Sequence, residues 1–187
     1  MSTEYTIEQI VENDAGWIFY DAAFKCWKSI YRNIVGASVL DIGCGGGVAM
    51  ALTKLFNPAL RVEGFEGSMA GKNVWEMRGL TVTHGDIYHL PFPEKSFDTV
   101  YTSHVLEHLE DPLKAIREAA RVASHRTIHI VPDGDVGAKN FGSPHLHIFN
   151  RKNFRKLFDS ESLRIVQYGS IVDPHMNSLI IVSDRGV

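Results

Sequence analysis

Apolar positions along this chain change period as it proceeds. In residues 17–34 the large apolar residues fall at Trp17, Tyr20, Phe24, Trp27, Tyr31 and Ile34, three or four apart, which predicts one apolar stripe along a helix. Beyond Gly36, short runs of strand character alternate with stretches of helical spacing. SVLDIG reads as a strand and VAMALTKLF as a helix; RVEGFEG reads as a strand and SMAGKNVWEM as a helix. LTVTHGD, FDTVYTSH and RTIHIVP are further strands, with PLKAIREAARVA as the helix between the last two. Strands that alternate with helices predict parallel pairing through crossover helices, and so a layered α/β sheet. After PDGDVGAKNFGSP, which is rich in turn residues, a short helix is expected at RKNFRKLFDS. The last two strands, LRIVQYGSI and NSLIIVSD, are separated only by VDPHM. That is too short for a crossover, so they are expected to pair antiparallel at one edge.

Composition narrows the class. With 187 residues the chain reads as one domain, residues 1–36 forming an N-terminal helical cap and residues 37–187 the sheet core. Hydrophobic residues at 44% and charged residues at 22% are ordinary for a globular protein. A net charge of -3 gives no general attraction to nucleic acid or an acidic membrane surface. Two cysteines, Cys26 and Cys44, cannot make a disulfide framework, and no basic segment leads into an apolar run at the start. No stretch approaches a membrane span, and the expected location is the cytoplasm.

The chemistry concentrates at SVLDIGCGGGV. After the aspartate at 41 come Gly43, Cys44, Gly45, Gly46 and Gly47, at the carboxyl end of the first sheet strand, where α/β sheets bind ligands. A phosphate-binding loop needs Lys and Ser or Thr after its glycines, and here Val48 and Ala49 follow. A dinucleotide fingerprint needs a third glycine three residues after its second, and the two possible registers end on Val48 and Met50. Asp41 also sets negative charge where a pyrophosphate would sit. The loop instead suits a ligand with a cationic end, such as a nucleoside carrying an amino-acid chain and a sulfonium.

DIGCGGG, then VEGFEGS with Glu66, then GDIYHLPFPEKSFDTVYTSHVLEHLEDP resemble the class I S-adenosylmethionine-dependent methyltransferases of the type 11 kind. The resemblance is clearest over residues 38–132. It implies a Rossmann-like, doubly wound, seven-stranded sheet, mostly parallel with a reversed C-terminal edge strand, and S-adenosyl-L-methionine as cofactor. It further implies roles along the site. Asp41 and the main chain at Gly43, Cys44 and Gly45 would receive the amino-acid end. Glu66 would accept hydrogen bonds from the ribose hydroxyls, with Gly67 and Met69 beside it, Met69 being equally a core residue. Asp86 and Ile87 would meet the adenine, and Ser103 and His104 would lie beside the reacting methyl group.

Methyl transfer to a hydroxyl needs a group to take its proton, and His104, His108, His145 and His147 lie in segments that can reach the site. His104, His108 and His147 are the candidate catalytic residues. In SHVLEHL, His104, Glu107 and His108 would share one face if the segment were helical. With His147 they would offer a metal-ligand set that resembles the E-x-x-E-H cluster of metal-dependent methyltransferases, although His104 replaces the first glutamate and favours zinc over magnesium. The alternative is metal-free, with His104 as general base. The expected acceptor is a small molecule, with oxygen the expected acceptor atom. Two other readings stand beside it: a cofactor-binding partner module without catalysis, and an RNA-directed transferase suggested by Arg151, Lys152, Arg155 and Lys156, against which the overall acidity weighs. The aromatic helix and the loop at residues 133–144, with Gly134, Gly137 and Gly142 as hinges, are expected to cover the acceptor side.

Overall fold

The computed structural model describes residues 21–136, 145–159, 161, 163–173 and 176–185. Trp17 and Tyr20 of the expected aromatic stripe, and Gly137 and Gly142 of the expected hinge loop, lie outside the described residues. The elements follow in the order α1 (Asp21–Asn33), β1 (Ser38–Ile42), α2 (Val48–Phe56), β2 (Arg61–Glu66), α3 (Lys72–Met77), β3 (Val82–His84), β4 (Phe97–Ser103), α4 (Pro112–Val122), β5 (Ala123–Pro132), α5 (Arg151–Asp159), β6 (Leu163–Ile171) and β7 (Ser178–Arg185). Short 3-10 turns add Met69–Gly71, Leu106–His108 and Gly134–Val136.

The strands form one seven-stranded sheet in the order β3-β2-β1-β4-β5-β7-β6. Pairing is parallel from β3 through β5, and β7 runs antiparallel to both β5 and β6. The expected hairpin therefore closes one edge, and its reversed C-terminal strand inserts between β5 and β6. The sequence pattern matches these places. β7 carries the unbroken apolar run LIIV directly after Ser178 and is buried along most of its length, as suits a strand covered on both faces, whereas β6 has mostly exposed and half-buried positions, as suits an edge.

Alternation along each strand sends side chains to two helical layers. Val39, Tyr101, Ile128, Ile130, Ile180 and Val182 pack with Trp27 and Ile30 of α1 and Met50 of α2. Leu40, Ile42 and Val100 face the other side, against Ala119 and Val122 of α4. Leu179 and Ile181 meet Phe154 and Phe158 of α5. α4 shows how locally this is specified. Asp111 caps its first turn by accepting from the Lys114 amide at 3.0 Å, Pro112 opens it, and Ala115, Ile116, Ala119 and Val122 form its buried face.

On α1 the buried face is rotated from the expected aromatic stripe. Ala23, Cys26, Trp27 and Ile30 face the sheet, while Phe24 is 43% exposed. Trp27 is buried between the sheet and α2, donating from Nε1 to Thr53 Oγ1 at 3.1 Å, and the flanking rings pack against it at the rim. Phe24, Tyr31 and Phe56 lie 5.2, 5.4 and 5.0 Å from the Trp27 ring. Among the described residues, no helix is long and apolar enough to cross a membrane.

Candidate active site

β1 and β4 are neighbours, and the chain leaves β1 toward one side of the sheet and β4 toward the other, so their carboxyl ends mark the crevice where ligands settle in such folds. The two loops that emerge there touch. Gly43 has φ 74°, and a Cβ on it would lie 2.4 Å from Val105 Cγ2, so a side chain is excluded both by conformation and by space. Gly45 has φ 53°, but a Cβ on it would meet nothing within 4 Å. Its main chain is exposed, and it forms the open floor of the loop.

That floor is fixed from outside. Glu66, at the end of β2, accepts from the Gly45 amide at 2.8 Å and from the Ser68 amide at 3.1 Å. A carboxylate has about four acceptor positions, so these bonds leave capacity for a ligand's hydroxyls. Trp75 donates from Nε1 to the Gly45 carbonyl at 2.6 Å, and Arg78 donates to the Gly46 carbonyl at 2.6 Å. Neither residue was singled out from the sequence. Their signal was the i, i+3 spacing in WEMR, directly after the segment that carries Glu66.

Asp41 does not stand at the rim of the loop. It is 3% exposed, in the interior of β1, and its register partner on β4 is Tyr101, whose hydroxyl donates to it at 2.6 Å. Burial pushes the Asp41 carboxyl up to about 7, with the Tyr101 hydrogen bond pulling the other way and the Glu66 charge adding to the rise. Tyr101 itself is raised by the same burial and by Asp41. This pairing needs the β1–β4 register, which no local motif reveals.

The other expected positions fall around the loop. Cys44 turns its sulfur over β2, where a Cβ on Gly64 would lie 2.8 Å from it, so Cys44 offers the site its main chain and not its thiol. Gly67 is exposed, and Met69 is 47% exposed. Asp86 binds its own turn, accepting from the Tyr88 amide and from His89 Nδ1, both at 2.9 Å, and these bonds hold its carboxyl below the usual range. Ile87 is half-buried between the two packing clusters on the α4 and α5 side of the sheet. Ser103 ends β4 with its Oγ buried and without a hydrogen bond among the described residues.

Past Ser103 the chain departs from the expected helix. His104 has φ 56°, a left-handed conformation that is strained for a side-chain-bearing residue, and only Leu106–His108 form a turn, of the 3-10 kind. His104, Glu107 and His108 consequently do not share one helical face. The His104 ring spans two elements: Nε2 lies 3.3 Å from Ser178 Oγ and 3.8 Å from Cys26 Sγ, while Nδ1 lies 3.5 Å from Glu107 Oε1. Burial would depress this imidazole, but Cys26 and Glu107 outweigh it and push it up to about 10. His147 stacks on Phe149, 5.8 Å between centroids, and does not join Glu107 and His108. The residue that does is His145, whose ring lies 5.0 Å from that of His108. The basic residues of α5 lie on its exposed face, where Arg151 donates to Ser170 and Arg155 pairs with Asp159.

Residues 40–131 match the family model described as a methyltransferase domain. The demethylmenaquinone methyltransferase of Staphylococcus aureus strain JH9 is 30% identical over 122 residues, which cover 62% of this chain and 48% of that protein. The chain spans about a third to a half of the length of the curated relatives it matches. Among solved structures, the methyltransferase from the Haloferax volcanii complex with the Trm112 methyltransferase activator aligns with TM-score 0.80 at 18% identity, covering 100% of this chain and 98% of that one. A SAM-dependent methyltransferase from Aquifex aeolicus aligns with TM-score 0.74 at 17% identity, covering 96% and 98%.

Proposed function

This chain belongs to the class I S-adenosylmethionine-dependent methyltransferases, and we propose that it moves a methyl group from that cofactor to an oxygen of a small-molecule acceptor. The observation that carries the reading is the open main chain at Gly45 with Glu66 hydrogen-bonded beside it. The free space at Gly45 and the spare acceptor capacity of Glu66 fit a ribose, and the buried Asp41 fits the ammonium of an amino-acid end. When bound, the cofactor supplies a methyl group already activated by its sulfonium.

In this reading Glu66 holds the ribose hydroxyls, and the main chain of Gly43, Cys44 and Gly45 receives the amino-acid chain. Gly67 and Met69 line the next stretch, with Asp86 and Ile87 at the adenine. Ser103, whose Oγ has no partner among the described residues, faces the reacting end. The remaining work is to align the acceptor, exclude water and take the hydroxyl proton. Both His104 ring nitrogens lie against protein partners, so His104 shapes the wall while His147, half-buried on the neighbouring segment, takes the proton, with His108 beside Glu107. Hydrogen bonds from the Leu146 and His147 amides to the Glu107 carbonyl, at 2.8 and 3.1 Å, keep that segment against the β4 loop.

The test offers methyl-labelled cofactor with small hydroxyl, amine and carboxylate acceptors and with structured RNA. Label on a hydroxyl oxygen is expected; label only on nitrogen or only on RNA would overturn the proposed acceptor. A second reading, favoured by the whole-chain likeness to the Haloferax volcanii methyltransferase captured with its activator, is that a small activator subunit completes this enzyme. Turnover by the purified chain alone argues against it, and turnover only after addition of such a subunit supports it.

A further inference from the structure

Beside the cofactor loop lies a polar cluster that cofactor binding does not require. Glu107 is 1% exposed, and neither of its carboxylate oxygens has a hydrogen bond among the described residues. Burying a carboxylate in that state is strongly unfavourable unless a cation or a proton accompanies it, and His104, with Nδ1 3.5 Å from Oε1, answers that demand only in part and leaves Oε2 without a hydrogen bond among the described residues. Every titratable group named around it is an imidazole. His104 Nδ1 and His108 Nε2 lie 3.5 and 3.8 Å from Glu107 Oε1, and one ligand atom each from Glu107, His108 and His145 falls within 4.8 Å of the others.

We propose that Glu107, His108 and His145 form a binding site for a borderline first-row divalent cation of the zinc class. Two imidazole nitrogens and one carboxylate oxygen are the donors such ions favour, whereas magnesium and calcium favour oxygen alone. Around one ion, with each bond about 2.0–2.2 Å, donors sit at most about 4.2 Å apart, so a small rotation of the half-buried His145 closes the set. The frame is built in advance. The Leu146 and His147 amides both donate to the Glu107 carbonyl, at 2.8 and 3.1 Å, which places His145 over the 3-10 turn that carries its two partners. The His108 and His145 rings stand 5.0 Å apart with planes crossing at 70°, so they approach the same volume from different directions.

This set differs from the one expected from sequence spacing. His147 stacks on Phe149, and the left-handed conformation of His104 carries its Nε2 to Ser178. His104 is therefore a positioning residue, whose Nδ1 steadies the carboxylate of Glu107 in the way that outer partners orient metal ligands. Three protein donors leave at least one coordination position open, as in catalytic and not structural zinc sites. The set lies at the 3-10 turn that follows the carboxyl end of β4, where a water could complete the coordination.

Cation binding stands apart from the methyl-acceptor reading, because it is measured without cofactor or acceptor. The full chain, free of any polyhistidine tag and stripped with chelator, is titrated with zinc chloride by calorimetry and with cobalt(II) chloride by visible absorption. One equivalent is expected, with a ligand-field band for cobalt. His145→Ala, at a half-exposed position, should weaken binding at least about 100-fold with an unchanged melting temperature, and His108→Ala should do the same. His104→Gln should keep the stoichiometry and weaken binding about 10–100-fold, the usual range for an outer-shell partner. His147→Ala should leave metal affinity within about twofold. Absence of stoichiometric binding in the native chain, or native affinity in His145→Ala, would overturn the site. Failure of methyl transfer with metal binding intact would count against the acceptor reading alone.

Discussion

The two ends of the site satisfy their polar groups in opposite ways. At the ends of β1, β2 and β3, Glu66, Trp75 and Arg78 hold the glycine loop, Asp86 holds its own turn, and His84 lies 3.0 Å from the Glu66 carbonyl. At the ends of β4 and β5, Ser103 Oγ and both Glu107 oxygens are buried without a hydrogen bond among the described residues, and His104 keeps a left-handed backbone. In the proposed reading the first region is a finished cradle for the cofactor. The second holds unmet hydrogen-bonding capacity and a left-handed residue, where the proposed acceptor and ion would be met.

The largest effect that sharpens this contrast belongs to Asp41. Its folded pKa is raised, so between pH 4 and pH 7 Asp41 keeps its proton longer in the folded than in the unfolded state and its contribution to stability falls as pH rises, while the buried His129, pushed down to about 3, contributes in the opposite direction. A shift to about 7 corresponds to about 4 kcal/mol lost across that window. Urea unfolding of Asp41→Asn should remove most of this slope, because the amide still accepts from Tyr101 and never ionises. Cofactor affinity should move the other way, tightening as pH approaches 7, since an ammonium favours the ionised carboxylate. The same pH dependence in the native chain and in Asp41→Asn would show that Asp41 is not the buried titrating group.

Next come the two glycines. Gly43→Ala combines left-handed strain with a clash against Val105 and should lower stability by about 2–4 kcal/mol. Gly45→Ala meets no neighbour, so its stability loss should stay near 1–2 kcal/mol while it blocks the open floor and weakens the cofactor more than it weakens the fold. Equal stability losses would place Gly45 in packed structure and not at a ligand. Glu66→Ala should weaken cofactor binding by about 1–3 kcal/mol, the scale for hydrogen bonds to a charged acceptor. Unchanged affinity would remove Glu66 from the site. The smallest effect on cofactor binding should come from His147→Gln, which leaves that affinity within about twofold while turnover falls on the order of 100-fold, the scale of a lost proton acceptor. A matching loss of cofactor affinity would erase the boundary between the two regions.

The same contrast governs what the sequence reveals. Residues 41–45 and 66–69 form contiguous motifs at strand ends, and strands alternate with helices around them, so the layered α/β sheet is readable from the pattern, whereas the seven-stranded sheet and the roles of these residues are implied by the family resemblance. The hairpin of β6 and β7 is readable for a geometric reason: VDPHM cannot carry a crossover. The proposed acceptor side is assembled from distant pieces. Cys26, His104 and Ser178 meet across separations of 78 and 152 residues, and Tyr101 reaches Asp41 only through the β1–β4 register. Helical spacing misplaced His104, Glu107 and His108 because the chain turns left-handed at His104, a conformation that a histidine does not announce. His145 took the place expected of His147 because the two adjacent amides of Leu146 and His147 bind one carbonyl, fixing which ring faces the 3-10 turn.

The most direct measurement is calorimetry on the native chain with S-adenosylmethionine and, separately, with NAD. The expected result is micromolar binding of S-adenosylmethionine that tightens from pH 6 to pH 7, with little affinity for NAD. Tighter binding of NAD, or no binding of S-adenosylmethionine to the folded chain, would contradict the assignment of the glycine loop and Glu66 to that cofactor.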